Sequence, residues 1–305
     1  MQFPLYIRKF QVYNKSMSEY ADKIRKEWAT NDKKRDAGLT SPEDILRYDD
    51  ILYGSSKTEQ VLDVYRPKQA SGKDIPVIVS VHGGAWVYGD KELYQFYCMS
   101  LAQRGFAVVN FTYRLAPENL FPSQLQDVAL VFDWLYKNAA DYGFDTKSVF
   151  AVGDSAGAHL LALYSCCLTN SSYAKNFHFI KSSAQKPKAI ALNCGVYHAR
   201  PQNLGAITEL MGKENLTQDE MNLISVLPHI TADFPPVFVM TSFGDFLKDQ
   251  ALEFAATLME KKVSFTLKVY GKAKNPLYHV FHVNMKQAEA KLCNDDECNF
   301  FKSFL

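Results

Sequence analysis

The chain contains 305 residues, of which 47% are hydrophobic, and its 34 basic and 33 acidic residues leave a formal net charge of +1. This balance creates no overall field that would attract nucleic acid or an anionic membrane surface, so neither is expected as a partner. The length is sufficient to bury a large core, and one α/β domain with insertions accounts for it without a second domain.

The N-terminal stretch, residues 1–13, mixes charged residues with isolated aromatic ones and lacks the continuous apolar core of a signal peptide. No later segment approaches the run of about 20 apolar residues that a transmembrane helix needs. The six cysteines do not make a dense disulfide framework in a chain of this length, and a reducing compartment would keep them as thiols. We therefore expect a cytoplasmic protein without stable membrane insertion.

The first predicted element is an amphipathic helix within residues 17–30. Its apolar residues recur at helical spacing, at Tyr20, Ala21, Ile24 and Trp28. An amphipathic helix more often simply covers a sheet, so the pattern alone does not indicate a function.

Short apolar runs then alternate with helical patterns along the rest of the chain. The runs lie at residues 75–81, 106–111, 149–152, 189–192, 235–240 and 264–270. This alternation predicts a mainly parallel central sheet flanked by helices. Ligand chemistry is then expected at the carboxyl ends of the strands.

A glycine-containing loop, His82–Gly83–Gly84–Ala85–Trp86, follows the first of these runs. When an alkoxide attacks an ester carbonyl, negative charge gathers on the carbonyl oxygen, and preorganised backbone N–H groups stabilise that charge. Glycines let the backbone approach the oxygen closely. The loop is therefore predicted to supply an oxyanion hole, with the N–H groups of Gly83 and Gly84 as donors and His82 orienting the loop.

A Gly-x-Ser-x-Gly motif at residues 153–157 joins the apolar run at 149–152 to an Ala/Leu-rich helix at 158–168. The glycines leave room for a sharp turn that would lift the hydroxyl of Ser155 above the sheet edge. The motif alone also fits a tight turn with a buried serine, and the loop upstream favours the functional interpretation. Ser155 is the predicted nucleophile, and the N–H of Ala156, at a helix N-terminus, is a third predicted oxyanion donor.

These segments together resemble the α/β-hydrolase superfamily, and within it the hormone-sensitive-lipase-like esterases with the related acetylesterase and feruloyl-esterase group. The similarity covers roughly residues 58–285. Its markers occur in order at Leu62–Pro67, His82–Gly84, Tyr113–Glu118, Phe121–Pro122 and Gly153–Gly157. The resemblance implies an α/β-hydrolase fold and a catalytic triad whose members follow in the order serine, acid, histidine.

The acid expected by this resemblance follows the apolar run at 235–240. Asp245 lies there, after a glycine turn, and resembles the triad acid of the family. Asp249 comes four residues later, where a helix is expected to have begun, so a helix-face charge or a supporting contact is its more natural role. Order and geometry favour Asp245.

The histidine lies within residues 277–282, after the last apolar run. The family usually shows His-Gly-Phe at this point, whereas this chain has Val280 in place of the glycine. His279 and His282 are both candidates, and the family's spacing of histidine two residues before Phe281 selects His279. The other five histidines have structural interpretations.

The implied mechanism is acyl transfer in two steps through an acyl-enzyme, with His279 as base and Asp245 holding its tautomer. No metal or organic cofactor is expected. Cys293 and Cys298 lie five residues apart on a predicted C-terminal helix without a further ligand pair, so a zinc site there is not expected.

The resemblance also implies a small helical cap over the active site. Residues 1–45 would form an N-terminal helical part of this cap, and residues 46–305 the catalytic domain, with a helical cap insertion at about 196–232. Five aromatic residues follow strand ends or the oxyanion loop and could line a pocket or belong to the core: Trp86, Tyr94, Phe96, Tyr197 and Phe246. Of these, Trp86, Tyr197 and Phe246 are the predicted substrate-binding residues.

Three functions fit these observations. The first is a serine carboxylesterase for short-to-medium acyl esters, including acetyl or feruloyl esters of carbohydrate; the second is an amidase or arylformamidase with the same triad. The third is a noncatalytic small-molecule binding protein, which the intact set of Ser155, Asp245 and His279 opposes. A homodimer is expected only by analogy, and the apolar tail at residues 300–305 could dock on this chain's own core or on a second subunit.

Overall fold

The computed structural model describes residues 15–181, 183–200 and 203–305. Eight strands form one sheet in this part of the chain: β1 Ile45–Leu52, β2 Val61–Pro67, β3 Ile75–Val81, β4 Ala107–Phe111, β5 Phe144–Asp154, β6 Ala189–Asn193, β7 Val237–Ser242 and β8 Phe265–Tyr270. Their order across the sheet is β1-β2-β4-β3-β5-β6-β7-β8. All six apolar runs of the sequence lie on strands of this sheet.

The strands from β3 to β8 are parallel, whereas β1 and β2 join one edge in antiparallel pairing. The predicted fold class, an α/β-hydrolase fold with a mainly parallel sheet flanked by helices and a small helical cap, is confirmed. β1 and β2 were not predicted as strands. β1 carries exposed charges at Asp49 and Asp50 and shows no clean alternation, because it lies at the sheet edge and faces solvent.

Ten helices accompany the sheet among the described residues: α1 Lys15–Asp36, α2 Lys91–Ala102, α3 Ser123–Lys137, α4 Ala139–Tyr142, α5 Ala156–Thr169, α6 Ser171–Ala174, α7 Leu204–Met211, α8 Gln218–Leu223, α9 Lys248–Glu260 and α10 Ala288–Lys302. Helices α3, α5 and α9 pack against one face of the sheet, where Val77, Val79 and Val81 point. Helices α2 and α10 pack against the other face, where Ile78 points. The central strands, β3 to β7, are therefore mostly buried on both faces, as expected for a parallel sheet.

The predicted cap regions contain α1, α7 and α8, and α1 contacts α7. The second helical stretch lies between β6 and β7 and is divided in two, because α7 ends at Gly212 with a φ of +68°. Residues 1–14 of the predicted N-terminal segment, and residues 201–202 of the insertion, lie outside the described residues. Within the described part, the helices are too short or too polar to cross a bilayer. The domain limits at residues 45 and 46 stay predictions.

The C-terminal tail docks on this chain's own core. The ring of Phe301 is fully buried and stacks on Phe150 with 4.9 Å between ring centroids. Its edge contact with Phe106 completes a three-ring cluster on the face of the sheet that α2 and α10 cover. All six cysteines lie in the described part and are unpaired and buried.

Replacement of Phe301 by alanine is expected to lower the free energy of unfolding by about 3–5 kcal/mol, because it leaves a cavity among buried rings. Leu305, at the same end of the chain, is mostly exposed, so Leu305→Ala should change it by less than about 0.5 kcal/mol. Urea unfolding followed by tryptophan fluorescence measures both values. Equal, small effects would mean that the tail does not contribute to this core.

Candidate active site

Ser155 lies at a sharp turn between β5 and α5. Its backbone has φ 51° and ψ −116°, a conformation that a residue with a side chain rarely adopts. The flanking glycines allow the turn, because a Cβ on Gly153 would lie 2.7 Å from the backbone of Gly157. A Cβ on Gly157 would in turn collide with the carbonyl oxygen of Val81 in β3. The turn places the serine hydroxyl at the carboxyl end of β5, next to the loop that follows β3.

Ser155, His279 and Asp245 meet at this edge of the sheet. The Nε2 atom of His279 lies 3.0 Å from the Oγ of Ser155, and its Nδ1 atom lies 2.7 Å from Oδ1 of Asp245. The carboxylate can only accept, so Nδ1 carries the proton and Nε2 is left to accept from the serine hydroxyl. The three side chains come from the ends of β5 and β7 and from the loop after β8. The structure thus brings the three residues of the sequence prediction into one hydrogen-bonded row.

Asp245 is buried and held by several donors. It accepts hydrogen bonds from the Oγ1 of Thr241 at 2.7 Å and from the backbone N–H of Leu247 at 3.0 Å, besides His279. Burial raises the pKa of Asp245, but the hydrogen bond and charge of His279, with the other donors, outweigh it and hold the pKa below its ordinary value. Asp245 therefore stays ionised at neutral pH and can stabilise an imidazolium.

The two alternatives that the sequence left open lie elsewhere. Asp249 is exposed in the first turn of α9. His282 is fully buried, and burial lowers its pKa to about 3, so it stays neutral and has no access to solvent. Val280, which stands where the family usually has glycine, has a φ of +50°. Glycine adopts this left-handed conformation without strain, which explains the family's preference at that position.

The structure contradicts one of the predicted oxyanion donors. The N–H of Gly83 already donates to the hydroxyl of Tyr94 at 2.9 Å, so it is not free to bind a substrate oxygen. Gly84 has a φ of +120° and lines the cavity, and its N–H donates to no described group. The N–H groups of Ala85 and Ala156 also donate to no described group. The N–H groups of Gly84 and Ala156 are thus free to act as the predicted donors, and the N–H of Ala85, which the sequence analysis did not include, is free as well.

His82 contacts the oxyanion loop from within the core. It is fully buried, its ring stacks on Tyr113 with 4.0 Å between centroids, and its Nδ1 lies 2.7 Å from the carbonyl oxygen of Gly83. Burial lowers the pKa of His82 to about 4, so the ring is neutral and its Nδ1–H donates to that carbonyl. This arrangement agrees with a role in orienting the loop.

A cavity of about 310 Å³ opens beside Ser155 and His279. The end of α1 forms one wall with Trp28, Asn31, Asp32 and Arg35. The other lining residues come from the oxyanion loop, the start of α2, the serine turn and the loop after β8: Gly83, Gly84, Tyr88, Gly89, Leu93, Tyr94, Asp154, Ser155, His279, Val280 and Val283. The end of the N-terminal helix therefore borders the cavity, and its assignment to a cap stays a prediction.

The three predicted substrate-binding residues differ in burial, and two of them are buried away from the cavity. Trp86 is buried with its ring edge-on to His159, and Tyr197 is buried with its ring stacked on Phe254. Neither lines the cavity, so both predictions are corrected: these large rings fill the core beneath the site. Phe246 is 55% exposed, and its ring centroid lies 4.5 Å from that of His279. It flanks the histidine outside the cavity.

Polar contacts attach α1 to the chain that follows the oxyanion loop. Arg25 donates to the carbonyl oxygens of Val87 at 2.8 Å and Ala116 at 3.0 Å, and it forms an ion pair with Glu118 at 2.7 Å. Nearer the end of α1, Asp32 accepts from the hydroxyl of Tyr88 at 2.8 Å. The sequence analysis did not predict these contacts. Glu118, which is part of a family marker, was the one sequence feature that pointed to this region.

One group of metal-ligating side chains lies close together in the described part of the chain. The donor atoms of Cys194, Asp245 and His279 lie within 4.8 Å of one another. Burial raises the pKa of the Cys194 thiol well above its ordinary value, so the thiolate that would bind a metal is disfavoured. Asp245 and His279 already bond to each other, and the group fits a catalytic row better than a metal centre.

The chain is similar to proteins that are named as esterases. The model of the family described as BD-FAE matches residues 62–252. The chain is 34% identical over 216 residues to esterase LipQ of Mycobacterium tuberculosis, a match that covers 70% of this chain and 48% of LipQ. It is 27% identical over 243 residues to the probable isoprenylcysteine alpha-carbonyl methylesterase ICMEL1 of Arabidopsis thaliana, covering 75% of this chain and 51% of that protein. The chain spans about half the length of these curated relatives.

Solved structures agree in fold over nearly the whole chain. An inhibited esterase B from Lactobacillus rhamnosis superposes with a TM-score of 0.86 at 26% identity, covering 95% of this chain and 97% of that one. A bacterial heroin esterase superposes with a TM-score of 0.77 at 18% identity, covering 95% and 93% of the two chains. At that lower identity the similarity concerns the fold alone.

Removal of the Arg25 anchor is expected to loosen α1. Arg25→Met should speed amide hydrogen exchange in residues 19–36 roughly tenfold, because losing charge-assisted hydrogen bonds worth about 1.5 kcal/mol favours local opening. The matched control is Lys26→Met on the exposed side of the same helix, which should leave exchange unchanged. Equal exchange rates in both variants would show that Arg25 does not hold the helix.

Proposed function

The chain belongs to the BD-FAE family, and from that premise we propose that it is a serine carboxylic ester hydrolase that acts on small-molecule esters. The observation that carries the proposal is the row of hydrogen bonds from Ser155 through His279 to Asp245. A nucleophile beside a base whose other nitrogen is held by an ionised acid is the arrangement that acyl transfer to serine needs. A noncatalytic binding protein would have no use for it.

The reaction proceeds in two steps. The Oγ of Ser155 attacks the ester carbonyl while Nε2 of His279 takes the hydroxyl proton, and Asp245 stabilises the imidazolium through Nδ1–H. The tetrahedral intermediate collapses as His279 returns the proton to the leaving alkoxide, which departs as an alcohol and leaves an acyl-enzyme. Water then attacks the acyl carbon while His279 takes its proton. The bond from the acyl carbon to Oγ breaks as His279 returns that proton to Oγ, so the carboxylic acid leaves and Ser155 is regenerated.

The oxyanion of each tetrahedral intermediate binds to the backbone N–H groups of Gly84, Ala85 and Ala156. All three are free of described partners, and Ala156 is the first residue of α5, where the helix dipole adds favourable potential. One such donor stabilises the transition state by about 3 kcal/mol.

The size of the cavity supports a substrate with a short-to-medium acyl group. Its volume of about 310 Å³ lies at the low end of the range for small-molecule sites. Trp28 of α1 forms part of its wall and limits the length of an acyl chain. Acetyl or feruloyl esters of carbohydrate are within this class, and an amide or arylformamide substrate would use the same three residues. The homodimer and the cytoplasmic location stay predictions.

Hydrolysis of p-nitrophenyl esters from acetyl to decanoyl, with acetylated oligosaccharides and an arylformamide beside them, tests the proposal. Ser155→Ala is expected to lose at least about 10⁴-fold in kcat, and Asp245→Asn about 10³- to 10⁴-fold, because the imidazole loses its productive tautomer. The matched control is Asp249→Asn, since Asp249 is the neighbouring exposed carboxylate and should leave kcat within about twofold.

Circular dichroism establishes that each variant is folded. Folded wild-type protein that hydrolyses no member of the panel would contradict the proposal, and so would equal losses in Asp245→Asn and Asp249→Asn.

The wall formed by Trp28 predicts a change in acyl preference. Trp28→Ala should raise the octanoyl-to-acetyl ratio of kcat/KM about tenfold, because each extra methylene buried in the enlarged cavity contributes about 0.8 kcal/mol. Glu27→Ala, one residue away but outside the cavity lining, is the control and should leave the ratio unchanged. An unchanged ratio in Trp28→Ala would show that α1 does not bound the acyl group.

A further inference from the structure

Tyr94 and Asp154 connect the oxyanion loop to the serine turn by two buried hydrogen bonds. The N–H of Gly83 donates to the hydroxyl oxygen of Tyr94 at 2.9 Å, and that hydroxyl donates to Oδ2 of Asp154 at 2.7 Å. Asp154 is the last residue of β5 and immediately precedes Ser155, whereas Tyr94 comes from the first turn of α2. The two bonds therefore join three separate elements of the site.

The loop fits tightly against this pair. A Cβ on Gly83 would lie 3.0 Å from the hydroxyl oxygen of Tyr94 and would collide with the carboxylate of Asp154. A Cβ on Gly84 would collide with the carbonyl oxygen of Tyr88 on the other side. Two successive residues of the loop therefore have little space in which to shift.

Burial keeps the connecting hydroxyl in the protonated form. Burial, and secondly the neighbouring charge of Asp154, raise the pKa of Tyr94 well above its ordinary value. The hydroxyl can then donate to Asp154 and accept from Gly83 at the same time. Neither bond faces competition from bulk water, because Tyr94 and Asp154 are both buried.

We propose that Tyr94 and Asp154 are positioning residues that clamp the oxyanion loop, engaging the N–H of Gly83 so that the next N–H groups, of Gly84 and Ala85, are aimed at the carbonyl oxygen of a bound ester. This inference rests on the proposed function. The clamp acts on the transition state, because oxyanion donors accelerate the reaction only if they are already oriented when charge develops. Without the clamp, the loop must be ordered again in each tetrahedral intermediate.

Tyr94→Phe removes both hydrogen bonds and keeps the ring. Its kcat is expected to fall about 10- to 100-fold, with KM within about threefold, because the lost interaction serves the transition state and not the ground state. Asp154→Asn keeps an acceptor for the Tyr94 hydroxyl and should retain most of the activity that Asp154→Ala loses.

The matched control is Tyr97→Phe. Tyr97 lies one turn further along α2, is equally buried, and donates its hydroxyl hydrogen to Oε1 of Glu297 at 3.0 Å, away from the oxyanion loop. It should lower Tm as much as Tyr94→Phe and leave kcat within about threefold. A loss of kcat equal to that of Tyr94→Phe would overturn the clamp, because both effects would then be general destabilisation.

Hydrogen exchange in residues 82–90 gives a readout that does not depend on turnover. Exchange there should be faster in Tyr94→Phe than in wild type and unchanged in Tyr97→Phe. Unchanged exchange in Tyr94→Phe, or a change in KM alone, would overturn the clamp. Absence of ester turnover in wild type would overturn the proposed function together with the clamp's role, whereas wild-type turnover with equal kcat in both phenylalanine variants would overturn the clamp alone.

Discussion

The site depends on the close approach of α5 to the end of β3. Gly157, in the first turn of α5, lies so near the carbonyl groups of Val81 and His82 that a Cβ would be 2.5 Å from the His82 oxygen. Only glycine permits this contact. It places the serine turn next to the oxyanion loop, so that Gly84 and Ser155 line the same cavity. Parallel pairing of β3 with β5 fixes the two segments in register.

The remaining groups reach this point because of the topology of the sheet. Parallel strands end at the same edge, so residues far apart in sequence, such as Ser155, Asp245 and His279, converge there. Each is then held by groups from a neighbouring segment: Thr241 and the N–H of Leu247 fix the carboxylate, which in turn fixes the imidazole. The hydrogen-bonded row is thus organised before a substrate arrives, and such preorganisation is what the proposed catalysis requires.

Sequence patterns predicted the parts of this arrangement that follow from local rules. The glycines around Ser155 and the apolar runs of the parallel strands reflect turn sterics and burial, and the order of the acid and histidine reflects family resemblance. The patterns did not reveal that the hydroxyl of Tyr94 accepts a hydrogen bond from the N–H of Gly83, because that contact depends on how α2 packs on β2 and β4. For the same reason they could not distinguish Tyr197, which fills the core, from Phe246, which remains exposed. Tertiary packing decides which aromatic side chains are buried, and residue type alone does not predict it.

The most direct measurement of the central claim is covalent labelling by a p-nitrophenyl alkylphosphonate, followed by intact mass and peptide mapping. Such a reagent reports on nucleophile activation and oxyanion binding without requiring the natural substrate. The account predicts one adduct per chain, located on Ser155, with labelling slowed at least about 10³-fold when His279 is replaced by alanine. Labelling at another residue, or equal labelling rates with and without His279, would contradict it.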